Sequence, residues 1–400
     1  MPFRIAIGHI ACNYGHMITR LLTEQIRRSP KSALVLGPRQ TGKSTLFHSL
    51  VPDLVIDLAD ETTFLEFSSN PSELASRLAR SAARTVLIDE VQRAPGLLNT
   101  VQAVLDESKR QKASLRFWLT GSSARKLRRG QANLLPGRLL TYRLGPLAAA
   151  ELDYRVDTTL ALQVGTLPEP YLEHALPDKH KLLRSYAGSY LREEIQAEAL
   201  SRNIESFSRF LDVAAQWAGL ALDFSKLANR AKIARRSAMR YFEVLEDTLV
   251  ARRVSALADR PDLDLVKHPK FYFFDPGVWN GLLGNFVASA DRVGLLFEHL
   301  WASQVWSSAA ARDIDVRIQT LRTRGGLEVD FVVDIAEQRW LIEAKATPHP
   351  NASDVAALVR AARLFPRRTK AILVHTGTLE RVIDGIAALP WQKGLQELGL

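Results

Sequence analysis

Cysteine is almost missing from this chain: one residue, Cys12, in 400. A single thiol excludes an internal disulfide framework and any thiolate zinc cluster, and a reducing, cytoplasmic location is expected. Long apolar runs are missing too. No stretch approaches the ~20 residues that span a bilayer, so no membrane partner is expected. The run Arg4-Ile5-Ala6-Ile7-Gly8-His9-Ile10-Ala11 is short, carries His9 and lacks a small-residue cleavage site, so it is not expected to act as a secretory signal. Acid is the scarcer charge: 43 Asp and Glu against 53 Lys and Arg leave a formal net charge of +10. That balance favours polyanionic partners, nucleic acid first, although a basic solvated surface has the same composition. With 46% hydrophobic and 24% charged residues, the chain has the make-up of folded globular protein.

What is present is most informative at Gly37-Pro38-Arg39-Gln40-Thr41-Gly42-Lys43-Ser44, which spells G-x-x-x-x-G-K-[ST] directly after the apolar run Ala33-Leu34-Val35-Leu36. A strand feeding a glycine-rich loop that opens a helix is the context in which this string binds phosphate. Successive backbone N–H groups make an anion nest, and the helix N-terminus adds partial positive charge. The segment from Gly37 to Thr45 is therefore expected to hold ATP, with Lys43 reaching the β- and γ-phosphates and the Ser44 hydroxyl binding Mg²⁺.

Downstream, Thr85-Val86-Leu87-Ile88-Asp89-Glu90 reads as a buried parallel strand with two acids at its carboxyl edge, where open α/β sheets bind ligands. Asp89 is expected in the Mg²⁺ shell, and Glu90 to polarise the attacking water. A helix over 97–108 leads to the strand Leu115–Thr120, whose tip offers Thr120 and Ser122 to the γ-phosphate or its water; turn capping is the alternative. Arg138 is a candidate phosphate contact, in cis or across a subunit boundary, with an ordinary surface arginine as the alternative. The strings VLGPRQTGKST, VLIDEVQRAP, FWLTGSSARKL and LPGRLLTYRLGPL, in this order, resemble the AAA-type ATPase domain of a large prokaryotic family whose C-terminal domain is of unknown function. The resemblance runs on through 164–170 and 268–275. It implies an ATPase and Walker roles for Gly37, Gly42, Lys43, Ser44, Asp89 and Glu90.

In the middle of the chain, apolar spacing predicts helix over roughly 182–217, then a short helix Phe224–Ala231, a longer one from Arg235 to Thr248, and a strand Leu249–Val254. Helix-turn-helix followed by a strand is the outline of a winged helix. Arg235, Arg236 and Arg240 lie on the first half of the second helix, where a recognition helix meets DNA. A packing element with a solvated basic face would look the same.

Toward the C-terminus the predicted order is a helix over 294–308 carrying Glu298, strands over 316–320, 327–333 and 339–345, a helix over 352–364 and a strand over 370–375. This α-β-β-β-α-β order is similar to the restriction-endonuclease core. Glu343 and Lys345 lie two apart, so both point to one face of their strand, and Asp330 lies on the adjacent strand. Asp330, Glu343 and Lys345 fit the D…(E)xK pattern, with Glu298 as its helical acid, although Glu328-Val329 stands where a proline usually precedes the aspartate. Asp330 and Glu343 would bind Mg²⁺, and Lys345 would orient a metal-bound water. A cross-strand salt bridge is the plain alternative.

The expectation is an α/β protein in four parts: an extension over 1–16, with Met17 as the physiological start; an AAA-type parallel sheet with helices on both faces over 17–155; a helical lid with a winged helix over 156–260; and a nuclease-like domain over 261–400. Function is read as a Mg²⁺-dependent ATPase coupled to a DNA-handling, nuclease-like domain. Homo-oligomer formation through the ATPase domain is a further expectation. The alternative is an ATP-gated switch that binds DNA or protein through a nuclease-like domain that does not cut.

Overall fold

Five apolar runs make the N-terminal sheet: β1 Ser32–Leu36, β2 Leu54–Asp57, β3 Thr85–Asp89, β4 Arg116–Gly121 and β5 Leu139–Arg143. A computed structural model describes residues 18–70, 72–122, 137–190, 204–260 and 262–400. The extension expected over 1–16, Met17 and the basic residues Arg125, Lys126, Arg128 and Arg129 lie outside them. All five strands run parallel in the order β2-β3-β4-β1-β5. Every residue of β1 and β3 is buried, as strands covered on both faces require.

The helices here are α1 Leu21–Arg28, α2 Lys43–His48, α3 Glu61–Ser69, α4 Glu73–Ala79 and α5 Leu97–Arg110. Alternation along the strands divides the core in two. Leu34, Ile56, Ile88, Phe117 and Leu119 pack with Phe67, Leu74, Leu98 and Val101 of α3 to α5. Ala33, Val35, Leu87 and Trp118 pack with Leu22, Ile26, Leu46 and Phe47 of α1 and α2. Helix α1 starts at Leu21 rather than Ile18, because the Arg20 backbone is extended at φ −77°, ψ 134°.

The middle comprises α6 Thr158–Val164, α7 Pro168–Leu172, α8 Leu176–Ser185, a π-helical turn Tyr186–Tyr190, α9 Ile204–Trp217, α10 Phe224–Ala231 and α11 Arg235–Asp247. Strand β6 Ala251–Ala256 begins two residues later than expected, because Leu249 turns the chain at φ 62°. After it come β7 Lys270–Phe273 and α12 Pro276–Leu283. Edge-on aromatic pairs, Phe207 with Tyr241 and Phe242 with Phe271, bind helices α9 and α11 and strand β7 into one core.

The expected order then follows: α13 Val293–Arg312, β8 Val316–Arg322, β9 Glu328–Ile335, β10 Gln338–Lys345, α14 Ala352–Ala362 and β11 Lys370–His375. Beyond it lie β12 Arg381–Ile383, β13 Ile386–Pro390 and α15 Trp391–Glu397. The sheet order is β12-β13-β11-β10-β9-β8-β6-β7, with β9 antiparallel to both neighbours and β10, β11 and β13 mutually parallel. Strand β6 pairs with β8 through Ser255 and Ala256, so the division expected at 260/261 falls within one continuous sheet.

Helix α13 is buried along most of its length and links the halves of the chain. Its Gln304 accepts from Ala149 N–H at 2.8 Å and donates to the Leu147 carbonyl at 3.0 Å. The C-terminus is tied back as well: Tyr154 Oη donates to the Leu400 carbonyl at 2.6 Å.

Candidate functional site

Parallel strands deliver their carboxyl ends to one edge, and the phosphate-binding string emerges there. Gly37 is required by a close approach: a Cβ on it would stand 2.1 Å from the Leu144 carbonyl oxygen. Gly42 is required by its backbone, at φ +87°. Pro38, Arg39, Gln40 and Thr41 form the loop between them, and Ser44 and Thr45 lie in the first turn of α2. Lys43 is buried, and its Nζ donates to the carbonyls of Gly37 and Pro38 at 3.0 and 2.9 Å, inside the loop it would share with phosphate.

The loop is braced by a residue that sequence reasoning passed over. Arg20, 6% exposed, donates through Nη1 to the Thr41 carbonyl at 2.5 Å and through Nη2 to the Gly145 carbonyl at 2.9 Å. Its Nε meets both oxygens of Glu151 at 3.0 Å, and Glu151 also accepts from the backbone N–H of Leu21 and Ala148. A separation of 131 residues leaves no local signal for this pair.

Strand β4 lies between β1 and β3, which sets Thr120 opposite Val35 and one step beyond the Leu119–Ile88 pair. The Thr120 hydroxyl donates to Asp89 Oδ1 and accepts from Glu90 N–H at 2.9 Å. Glu90 takes a left-handed backbone conformation, φ 55°, a strain of about 1–3 kcal/mol of the sort found at functional sites. Gln92, which the sequence did not single out, donates to Glu90 Oε2 and to Ser122 Oγ, the latter at 2.9 Å. Asp89, Glu90, Thr120 and Ser122 are thus tied together at the sheet edge that carries the loop. A nest of N–H groups, a buried ammonium, a hydroxyl at Ser44 and a carboxylate at Asp89 are the donor set a magnesium nucleotide needs.

Arg138 is a correction in one respect. Its guanidinium pairs with Asp106 of α5 at 2.7 Å, and it precedes β5, whose first residue pairs with Ser32 at the start of β1. It therefore lies at the opposite edge of the sheet from this chain's own loop, which excludes contact in cis. Paired with Asp106 on a partly exposed surface, it fits the ordinary surface arginine of the alternative, and a role toward a second subunit stays a proposal.

The four C-terminal residues, Glu298, Asp330, Glu343 and Lys345, converge. Lys345 Nζ donates to Glu343 Oε1 at 2.7 Å, and Asp330 Oδ2 accepts from Ala344 N–H at 3.0 Å. Burial and then the Asp330 charge push the Glu298 carboxyl up, and the same two causes raise Glu343. Burial raises Asp330 too, against the Ala344 N–H that favours its charged form. Two partners from β7 complete the cluster and were not anticipated. Lys270 Nζ stands 3.7 Å from Glu298 Oε2 and 3.5 Å from Glu328 Oε1, and Tyr272 Oη donates to Glu298 Oε2 at 3.2 Å. The K-x-Y spacing on a strand was their available signal.

Among the described residues no group of three or more His, Cys, Asp or Glu side chains is arranged to hold a metal ion. Glu343 Oε2, however, is buried without a hydrogen-bond partner. A carboxylate oxygen stranded beside a second buried carboxylate fits a divalent cation.

Arg235, Arg236 and Arg240 are exposed on α11, which packs inward through Ala238, Tyr241, Phe242 and Leu245. No described helix is long and apolar enough to cross a membrane.

Comparison with known proteins bears on the domains that carry these residues. Residues 29–153 match the family model described as an AAA domain, while 157–289 and 293–393 match two domains of unknown function, DUF8612 and DUF4143. Uncharacterized proteins of Mycobacterium bovis and Mycobacterium tuberculosis are each 26% identical over 380 residues, covering 92% of this chain and 82% of theirs. Among solved structures, the Aeropyrum pernix ORC1 protein in complex with DNA aligns at 12% identity and TM-score 0.32, over 67% of this chain and 91% of that one. The replication initiator DnaA bound to AMPPCP and single-stranded DNA aligns at 11% identity and TM-score 0.28, over 56% and 84%. Residues 29–153, which contain the Gly37–Ser44 loop, are thus similar to an AAA domain.

Proposed function

We propose that the chain binds and hydrolyses ATP with Mg²⁺ and that this cycle serves a C-terminal domain of nuclease-like build that handles DNA. The observation that carries the first half is the joining of loop, Asp89, Glu90 and Thr120 at one sheet edge. A bound magnesium nucleotide supplies the phosphoanhydride and a metal that draws charge from its oxygens. Loop N–H groups and Lys43 would hold the phosphates, Ser44 and Asp89 would hold the metal, and Glu90 would take a proton from the attacking water. In this reading Thr120 and Gln92 fix the orientation of Asp89 and Glu90.

The second half rests on the α-β-β-β-α-β order and on the convergence of Asp330, Glu343, Lys345 and Glu298. Asp330 and Glu343 would hold the ion, and Lys345 would orient the water that attacks a phosphodiester. Arg235, Arg236 and Arg240 would offer an exposed basic face to the DNA backbone, and Arg138 would serve a neighbouring subunit only if released from Asp106. A second reading, a nucleotide-gated switch whose C-terminal domain binds without cutting, is favoured by the lysine pairs that already occupy the acids.

The test is ATP hydrolysis measured with and without DNA, beside Mg²⁺- or Mn²⁺-dependent nicking of circular DNA. Lys43→Ala should abolish hydrolysis; Asp330→Ala and Lys345→Ala should remove nicking and spare hydrolysis. Nicking that survives both C-terminal substitutions rules out this site. Clean wild-type negatives with ATP-sensitive DNA binding select the switch.

A further inference from the structure

Resting on the reading of Asp330 and Glu343 as a metal site, we infer that Lys270 is a built-in competitor for the divalent ion. Its tethered ammonium neutralises part of the negative charge that the ion would otherwise meet. Lys270 enters from β7, outside the α-β-β-β-α-β unit, and its side chain is 15% exposed. It therefore delivers its charge with little screening by water. Strand alternation puts Lys270 and Tyr272 on one face of β7, and both reach Glu298. At 3.7 Å from Glu298 and 3.5 Å from Glu328 the ammonium bridges the helical acid and the strand that bears Asp330.

Charge counting gives the competition its direction. With the acids ionised, as binding a cation requires, three buried carboxylates, Glu298, Asp330 and Glu343, face two ammonium groups, Lys270 and Lys345, while Glu328 at the rim is shared with Arg322 at 3.6 Å. With both lysines in place one negative charge is left, too little for a divalent cation. With Lys270 withdrawn two are left, which a single divalent ion balances. Lys345 does not play this part, because it is bound to Glu343 Oε1 and leaves Oε2 without a partner.

The experiment is a calorimetric titration of the nucleotide-free full chain with Mn²⁺, so that neither hydrolysis nor cleavage is the readout. Lys270→Met and Lys270→Gln should each bind the ion about tenfold or more tightly than wild type. Lys270→Arg, which keeps the charge, should stay at the wild-type affinity, and adding Asp330→Asn should remove the gain. Equal affinity in wild type, Lys270→Met and Lys270→Gln, still lost with Asp330→Asn, overturns the competition and leaves the metal site standing. No Asp330-dependent binding in any protein overturns the competition and the metal site together. Should the neutral variants fail to fold, isotope-labelled lysine in the wild type decides. The Lys270 resonance, assigned by its loss in Lys270→Arg, must move when Mg²⁺ is added, and an unmoved resonance overturns the inference.

Discussion

The loop-bearing edge of the N-terminal sheet and the carboxylate cluster of the C-terminal sheet are built in opposite ways. The first is made largely of main chain: a loop shaped by Gly37 and Gly42, with side chains that follow from three neighbouring parallel strands. The second is made of side chains from α13, β7, β9 and β10, whose charges meet only when all four elements are in place. A main-chain site survives most changes of side chain and fails when the backbone cannot take its path. A site of converging charges keeps its backbone and fails one charge at a time.

Substitutions can break that contrast, and the sharpest is Gly37→Ala. With a Cβ 2.1 Å from the Leu144 oxygen, the loop must shift, and nucleotide binding should fall below detection in a fluorescent-nucleotide titration. Unchanged affinity would show that the loop adapts and that the contrast is wrong. Next comes Arg20→Ala, which leaves the fully buried Glu151 carboxylate without its cation, held only by the Leu21 and Ala148 N–H groups. Losing one partner of a buried pair costs about 3–5 kcal/mol, read from the shift of a urea unfolding midpoint. A change below about 1 kcal/mol would mean that the loop does not depend on its brace.

A pH series sharpens the other half of the comparison. Burial and like charges raise the folded-state values of Glu343 to about 7 and Glu298 to about 8. A carboxyl raised on folding binds its proton more tightly in the native state. Its contribution is therefore full below the ordinary carboxylate range and is lost as pH rises through the raised value. The metal-free protein should lose thermal stability as pH rises from about 4.5 to 8 and level off above that, and Glu298→Gln should flatten that slope. Mg²⁺ should stabilise more at the alkaline end, where it no longer competes with protons; an equal effect at both ends would refute the assignment. The smallest effect is expected at α11. Arg240→Ala should weaken DNA binding uniformly across sequences and lower the salt slope by about one, measured by anisotropy at several salt concentrations.

How much could be read beforehand follows the same division. The loop, Asp89 and Glu90 were legible because their spacing is local and their strands are apolar throughout. Helix α10 and the run from α13 to β11 were legible from periodicity. Asp330, Glu343 and Lys345 could be paired by strand alternation, and Glu298 by element order. Arg20 and Glu151 were not, since the pair acts across a distance in sequence that no periodicity spans, and Lys270 offered only its K-x-Y spacing on a strand. Arg138 could not be placed beforehand, because its position in the sequence said nothing about which sheet edge it would occupy. Short additions such as β12, β13 and α15 left too few residues for a periodic signal.

Gln304 holds the segment that begins at Leu147, a few residues past the carbonyl that abuts Gly37. The same helix presents Glu298, six positions and about 9 Å along its axis. A well-packed helix translates or tilts as a unit and does not stretch. Any rearrangement of the main chain around Leu144 is therefore met, on the far side of the protein interior, by a carboxyl group mounted on the same rod.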